Sequence, residues 1–260
     1  MALSRLIVNA DDFGISNAVN RAILESMECG LVTSTSMMAN MPGFDDAVVA
    51  VHEHAILAGK IGVHLNLTEG RPLSRPILDC PAFCNGRGGF VYKRQRPMFR
   101  LSRREKTAVY EEMKKQLEKV LAAGINPTHL DSHHHIHTEW AIAPLVCRLG
   151  REYGVTRIRL TRNMGEVSGL SRRIYKKVFN RWRIGNRRNF QNTDLFGDIE
   201  DWKAYTRHES VEGKSIEIMV HPLFDEAGSL IDLDRKDLHQ QLESILEQPA
   251  LCISPTDPRQ

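Results

Sequence analysis

The chain has 260 residues, of which 42% are hydrophobic and 26% are charged, and its formal net charge is +3. This length and composition allow one well-filled hydrophobic core, so we expect a single domain over residues 1–260. The small net charge gives no electrostatic reason to expect a nucleic-acid partner, and no apolar run approaches the roughly 20 residues that a membrane-spanning helix needs.

Two features of the sequence favour a cytoplasmic location. Asp11 and Asp12 come too early for the apolar core of a signal peptide to form before them. The five cysteines are odd in number and scattered, which indicates reduced thiols in a reducing compartment. Cys80 and Cys84 lack a second cysteine pair, so we assign them no metal.

Short apolar runs alternate with helix-periodic segments in the first part of the chain. The predicted strands are 6–10, 33–39 and 61–67, and the predicted helices between them are 17–29 and 44–57. Residues 70–100 then break this rhythm, because they are rich in Pro, Gly and Arg and too long for an ordinary βα connection. We expect this insertion to form a substrate-side loop.

The alternation resumes after the insertion. The predicted helices are 103–123, 140–153, the basic segment 171–188, one near Trp202 and one that ends at Leu246; the predicted strands are a short one after Pro127, 155–160, 215–221 and 251–253. Seven or eight βα units predict an α/β fold, an irregular (β/α) barrel with seven or eight parallel strands. An open doubly wound sheet is less favoured, because the sequence has no G-x-G-x-x-G or P-loop motif.

The basic segment 171–188 contains eight Lys or Arg residues around Ile174, Val178, Phe179 and Trp182. This pattern predicts a basic amphipathic helix. Its apolar stripe could face the core, as in an ordinary surface helix. Alternatively, the segment could contact an anionic membrane or a lipid-phosphate sugar.

Polar side chains lie at or near the ends of four predicted strands, where the loops of a parallel βα fold meet. They are Asp11 and Asp12 on the first strand, His64 on the third, His129, Asp131 and His133 on the fourth, and His221 on the penultimate one. We therefore expect these side chains to gather at one rim of the sheet.

The decapeptide THLDSHHHIH at 128–137 is the densest group of metal ligands in the chain. On an extended chain His129, Asp131 and His133 share one face, whereas His133 and His137 would share a face only if a helix had already begun. Asp131 could then hold a neighbouring imidazole in the required tautomer. One carboxylate and two imidazoles suit a zinc-like catalytic ion with one open position for water. If one aspartate of the Asp11–Asp12 pair supplies that carboxylate, the other is free to act as a base.

Five motifs in the same order resemble the YdjC-like carbohydrate deacetylases, the family that includes chitooligosaccharide deacetylase. They are VNADDFG at 8–14, LVTSTSMM at 31–38, IGVHLNLTEGRPL at 61–73, PTHLDSHHHIH at 127–137 and IMVHP at 218–222. The resemblance implies a deformed (β/α) barrel like those of polysaccharide deacetylases. It also implies that Asp12, His64 and His133 are the metal ligands and Asp11 is the catalytic carboxylate.

The resemblance implies a metal-dependent hydrolase of linear amide bonds, which removes the N-acetyl group of an amino sugar in an oligosaccharide or glycoconjugate. One divalent ion, Zn²⁺ or Mg²⁺, would bring the pKa of its bound water towards about 7 and polarise the amide carbonyl. Asp11 would accept the proton of the water, and His221 would protonate the departing amine. His129 is the reserve for that acid or a partner of the ligands, and Asp131 and Arg159 are expected around the ligands or the substrate.

Two other functions would use similar residues. A metal-dependent phosphoester hydrolase would need an arginine clamp, which Arg157 or Arg159 could supply. A non-catalytic sugar-binding barrel would not need Asp11. Nucleic-acid binding is not expected, because the chain has no recognised reader motif. The sequence leaves open whether two protomers pair.

Overall fold

The computed structural model describes residues 4–93, 98–165, 170–185, 190–233, 238–246 and 251–253. One curled sheet of six parallel strands, in the order β4-β3-β2-β1-β6-β5, organises this α/β domain. The strands are β1 (Ser4–Phe13), β2 (Ser34–Met37), β3 (Ile61–Leu65), β4 (Leu130–Ser132), β5 (Leu195–Gly197) and β6 (Ser215–Val220). Residues 6–8 of β1 are all buried, as is typical of a strand that is covered on both faces.

Three further strands lie outside this path. The antiparallel hairpin of β7 (Pro222–Phe224) and β8 (Leu230–Asp232) follows β6 directly. The last strand, β9 (Leu251–Ile253), pairs with the first residues of β1. The hairpin was not predicted from the sequence, whereas the strand at 251–253 was.

Seven α-helices lie among the described residues. They are α1 (Asn17–Glu28), α2 (Phe44–Glu53), α3 (Arg103–Ala122), α4 (Ala143–Glu152), α5 (Leu170–Phe179), α6 (Ile199–Thr206) and α7 (Leu238–Leu246). Their starts follow from capping side chains: Ser16 Oγ accepts a hydrogen bond from Val19 N, and Ser102 and Glu105 form a reciprocal capping box on α3. None of the described helices is long and apolar enough to cross a bilayer.

Residues 157–163 form an irregular extended segment that connects β4 and β5, the two edge strands of the sheet. Leu130 N donates to Arg157 O at 2.9 Å, Arg159 N donates to Leu130 O at 3.0 Å, and Asn163 N donates to Phe196 O at 2.9 Å. Among the described residues the sheet has six parallel strands on its path and a seventh, the short β9, which pairs in parallel with β1. The prediction of a strand at 155–160 was wrong, because only an isolated bridge between Leu130 and Ile158 forms there. One reason is that Ile158 N donates to the side chain of Asn192 at 3.2 Å, where a regular ladder would use a backbone carbonyl.

Several predicted boundaries also change. The first strand extends to Phe13, so Asp11 and Asp12 lie inside it and not after it. The helix predicted at 44–57 ends at Glu53, and a separate 3-10 turn, Ala55–Leu57, follows. The basic helix predicted at 171–188 is α5 with a continuing π-helical turn, Asn180–Gly185; residues 186–188 lie outside the described residues.

The insertion at 70–100 is irregular but well packed over its described residues. Its apolar side chains Ile77, Phe83 and Phe90 are buried. The carboxylate of Glu112 on α3 accepts hydrogen bonds from the backbone N–H groups of residues 73 and 74 at 3.0 and 2.6 Å, which fixes the start of the insertion. Residues 94–97 lie outside the described part.

Candidate active site

Two consecutive carboxylates of β1, Asp11 and Asp12, both reach the same site. Successive strand residues normally point to opposite faces of a sheet. Here the backbone of Asp12 has a left-handed φ of 70°, and the register between β1 and β2 shifts between Ala10 and Phe13. A local bulge of this kind redirects a side chain, and backbone strain of this type is concentrated at functional sites.

Asp12 lies between two imidazoles that come from distant parts of the chain. Its Oδ1 is 3.2 Å from His64 Nε2 and 3.0 Å from His133 Nδ1. The ligand atoms of these three residues all lie within 4.8 Å of one another, so the group could hold a metal ion. These are the three residues that the resemblance assigned as ligands, and the fold brings them together.

The second nitrogen of His64 is held by a polar network beneath the group. Asp131 Oδ1 lies 2.9 Å from His64 Nδ1, and Ser36 Oγ lies 3.1 Å from the same nitrogen and donates to Asp131 Oδ2 at 2.8 Å. A carboxylate behind a ligating imidazole fixes the ring and its tautomer. The imidazole that Asp131 contacts is His64, and its orienting role stays a prediction; Ser36 was not predicted.

Arg159 joins three buried carboxylates. Its Nη1 and Nη2 donate to Asp11 Oδ2 and Oδ1 at 2.6 and 2.7 Å, Nη1 is 2.8 Å from Asp131 Oδ2, and Nε donates to Glu217 Oε1 at 2.7 Å. Burial alone would lower the pKa of Arg159, but the charges of Asp11, Asp131 and Glu217 raise it well above the ordinary value. The guanidinium therefore remains charged. Glu217 was missed in the sequence because it lies in the middle of predicted strand 215–221.

The site carries an excess of negative charge. It contains four carboxylates, and its one guanidinium, that of Arg159, pairs with three of them, Asp11, Asp131 and Glu217, while Asp12 contacts His64 and His133. Burial alone would lower the pKa of His64, but the charge of Asp131 and hydrogen bonds to Asp12 and Asp131 raise it to about 10. Burial alone would raise the pKa of Asp12, but hydrogen bonds from His133 and His64 keep this pKa well below its ordinary value. An additional cation would be stabilised here.

The histidine run separates into different environments because its backbone turns sharply. Residues 133–138 form a 3-10 turn, in which His134 and His135 have left-handed φ values of 51° and 54°. His133 is directed at Asp12, whereas His134 Nδ1 lies 3.1 Å from Thr68 Oγ1. His137 Nδ1 lies 2.5 Å from Ser132 Oγ. The alternative grouping of His133 with His137 on a helical face is not observed.

A second group of ligands shares His133 on its other side. Glu69 Oε1 lies 3.6 Å from His133 Nε2, a buried nitrogen without a hydrogen-bond partner, and Glu69, His133 and His134 could also hold a metal ion. Glu69 follows β3 at the start of the insertion and was not predicted, because no strand-end position singled it out. At the other end of the insertion, Met98 N donates to Glu139 at 2.5 Å, just beyond the histidine turn.

His221 lies at the end of β6, 3.8 Å from the carboxylate of Asp232 on β8. Burial alone would lower the pKa of His221, but Asp232 and the charges of Asp11 and Asp12 raise it above its ordinary value. Asp232 was missed because the hairpin that carries it was not predicted. The side chain of His221 is partly exposed, and the carboxylates around it favour its protonated form.

His129 lies deeper in the fold than the other predicted site residues. It is fully buried, its Nδ1 lies 2.9 Å from Thr128 Oγ1, and its ring fills the space where a side chain on Gly62 would lie. Burial, together with the positive charge of Arg157, lowers the pKa of His129 well below its ordinary value. It is a neutral imidazole within the core.

The sequence is similar to a known protein family over most of its length. A family described as "YdjC-like protein" matches residues 5–252. A carbohydrate deacetylase from Brevibacillus brevis is 43% identical over 151 residues, which are 58% of this chain and 57% of that protein. One from Halalkalibacterium halodurans is 40% identical over 149 residues, 57% of this chain and 61% of that protein. The matched part thus spans less than two thirds of these relatives.

The fold is also similar to that of a solved structure. A crystal structure of a proposed cellobiose-phosphate cleavage protein from Enterococcus faecalis V583 has a TM-score of 0.67 with this structure. The alignment covers 96% of this chain and 93% of that one, at 24% identity. Identity at this level shows a shared fold alone.

Proposed function

The chain belongs to the YdjC-like protein family, as the motifs predicted, and from this premise we propose that it is a carbohydrate deacetylase. In this proposal the enzyme is a metal-dependent hydrolase that cleaves the amide bond of an N-acetylated amino sugar and releases acetate. The substrate is an oligosaccharide or a glycoconjugate. The observation that carries the proposal is the position of Asp12 between the imidazoles of His64 and His133. The preceding residue, Asp11, is paired with the guanidinium of Arg159.

The donor set fits one divalent cation. Asp12, His64 and His133 would hold it through one carboxylate and two imidazoles, a mixture that suits Zn²⁺ better than the all-oxygen environment Mg²⁺ prefers. The excess negative charge described above also favours a cation at this position. When bound, such an ion supplies Lewis-acid polarisation of the amide carbonyl and increases the acidity of water at its open position.

Asp11 is our candidate for the general base. A carboxylate has about four acceptor positions. Arg159 donates to both oxygens and Asn9 Nδ2 donates to Oδ1 at 2.9 Å, so these donors leave one acceptor position, on Oδ2. Asp11 would accept the proton of the attacking water at that position. Arg159 does not contact the reacting atoms in this scheme; it holds the carboxylate in a single orientation.

His221 is our candidate for the general acid, which protonates the departing amine. The carboxylates around it favour the imidazolium form, which has a proton to donate. His129 is less suited to this step, because it is buried and its pKa is lowered. We assign His129 to the packing beneath the site.

The alternative functions have less support. A phosphoester hydrolase needs an arginine that faces the substrate, but the guanidinium of Arg159 is buried and bonded to three carboxylates. Arg157 is also buried. A sugar-binding barrel without activity would have no use for a carboxylate that is oriented by a buried arginine.

Acetate release from N-acetylated chitooligosaccharides, compared between the wild type and Asp11→Asn, tests the proposal. We expect a loss of about 10²- to 10⁴-fold in kcat, as is usual for a general base, with metal content unchanged by elemental analysis. Asp45→Asn, an exposed carboxylate on α2, is the matched control and should be fully active. A fully active Asp11→Asn enzyme would remove Asp11 from the mechanism. If chitooligosaccharides release no acetate, a panel of acetylated glycans and glycolipids identifies the substrate.

A further inference from the structure

Helix α5 and the π-helical turn after it expose a row of large apolar side chains. Ile174 is 53% exposed, Val178 is 41% exposed and Trp182 is 66% exposed. The spacing of four residues places them along one side of the helix. Solvated helices usually direct such a stripe at the core, which was the first of the two predictions made for this segment. The structure instead leaves much of it in water.

The other side of the same helix already packs against the protein. Phe179 is buried, and its ring lies 5.4 Å from that of Trp140 in a perpendicular arrangement. The ring of Tyr175 lies 6.1 Å from the same tryptophan. These contacts attach the helix to the fold, so the exposed stripe is a separate surface and not a loosely packed part of the core. We call Ile174, Val178 and Trp182 the outer stripe.

The charged side chains of the segment that carries the outer stripe have one sign. Residues 171–188 include eight Lys or Arg and no Asp or Glu. Lys177 and Arg181 are both exposed, and helical spacing puts them beside Ile174 and Val178. An apolar stripe with cations along its border is the pattern of helices that lie in the interface of anionic membranes, with a tryptophan at the level of the headgroups.

We propose that the outer stripe docks on the surface of a bilayer that contains anionic phospholipid. The lipid headgroups neutralise Lys177 and Arg181, while the acyl boundary takes up Ile174, Val178 and Trp182. A second copy of this chain is a poor occupant, because it would bring a segment with the same eight positive charges. Nucleic acid would pair with the cations but would not remove the aliphatic side chains from water.

Docking through this surface would orient the candidate active site with respect to the bilayer. Trp140, which anchors α5, lies two residues after the end of the turn His133–Thr138 that carries His133. The helix therefore packs on the same segment that forms one wall of the site. This inference goes beyond the proposed function and does not depend on it, since binding can be measured without any turnover.

Co-sedimentation of the full chain with phosphatidylcholine vesicles, with and without phosphatidylglycerol, tests the proposal. We expect binding only to the anionic vesicles, a decrease in binding as salt is raised, and a blue shift of tryptophan emission on binding that is lost in Trp182→Phe. Equal binding to neutral and anionic vesicles, or no binding to either, would overturn the proposal.

Two sets of variants test whether the vesicles bind at the outer stripe and the cations beside it. The triple variant Ile174→Ser, Val178→Ser and Trp182→Ser should weaken binding at least about tenfold, and the pair Lys177→Gln and Arg181→Gln about 30-fold. The matched controls are Val49→Ser, which is 53% exposed on α2, and the pair Lys106→Gln and Lys115→Gln on α3. Controls that weaken binding as much as the test variants would contradict a role for the outer stripe.

Discussion

Arg159 holds Asp11 by two parallel hydrogen bonds, Nη1 to Oδ2 at 2.6 Å and Nη2 to Oδ1 at 2.7 Å, with both side chains almost completely buried. A planar guanidinium paired in this way fixes both the position and the plane of a carboxylate. The relationship links the stability of the fold to the proposed chemistry, because the same arginine also neutralises Asp131 and Glu217.

Replacement of Arg159 by methionine should strongly destabilise the protein. It removes the guanidinium that three buried carboxylates share and leaves Asp131 paired only with His64, and breaking a buried ion pair from one side costs about 3–5 kcal/mol. Urea denaturation measures this change in the free energy of unfolding. The control is Arg162→Met, because Arg162 also pairs with two carboxylates, Asp198 and Asp201, but is partly exposed; we expect a loss of about 1 kcal/mol there. Equal losses in the two variants would refute the argument from burial.

His64→Gln and His134→Gln distinguish the metal-binding group that contains Asp12 from the one that contains Glu69. His64 belongs to the group with Asp12 and also to a third group with Asp11 and Asp131. His134 belongs only to the group with Glu69, and His133 is common to the Asp12 and Glu69 groups. Competition with a chromogenic chelator measures the zinc affinity of each variant. We expect His64→Gln to lose about 100-fold or more and His134→Gln to stay within about threefold of the wild type. The reverse order would move the metal site to Glu69.

The alkaline limit of activity should depend on Asp232. His221 must be protonated to act as the acid, and the negative charges around it raise its pKa above 6.5. Activity should therefore persist beyond pH 6.5 and fall as the pH rises through the raised pKa. Asp232→Asn should move this limb to lower pH in a profile of kcat/KM, while Glu226→Gln on the same hairpin connection should not. An unmoved limb in Asp232→Asn would exclude His221 as the titrating acid.

Gly62→Ala should destabilise the protein through His129. A Cβ at residue 62 would lie 2.4 Å from ring atoms of His129, which is almost completely buried. Overpacking of this kind costs about 1–3 kcal/mol. Gly86→Ala is the control, because a Cβ there would meet nothing within 4 Å; its free energy of unfolding should change by less than about 0.5 kcal/mol. Equal urea midpoints for the two variants would show that His129 can be displaced.

The alternation of apolar runs and amphipathic segments was sufficient to predict most strands and helices of the fold. It failed where a side chain replaces the backbone partner that a regular strand needs, as Asn192 does for Ile158. It also missed β5 and the β7–β8 hairpin, which are strands of three residues and too short to establish a periodicity. The equally short β4 and β9 were predicted without a periodicity, β4 from its position after Pro127 and β9 from its apolar run.

The candidate site also contains residues that the sequence predicts and residues that it does not. The ends of parallel strands must meet at one edge of the sheet, so the sequence was sufficient to group Asp11, Asp12 and His64. Ser36, Glu217 and Asp232 could not, because nothing in their local sequence distinguishes them from ordinary strand residues. Their contacts with the site exist only once the strands are in place.

The sequence alone predicts the local periodicity, the motifs of the YdjC-like family and the strand ends that carry ionisable groups, because these depend on residues close together in the chain. Long-range packing directs Asp12 towards His64 and His133, places His134 beside Thr68, and pairs Arg159 with Asp11. Arg159 and Asp11 are 148 positions apart, and a contact over such a distance is set by how whole strands pack and by which buried charges can be neutralised there.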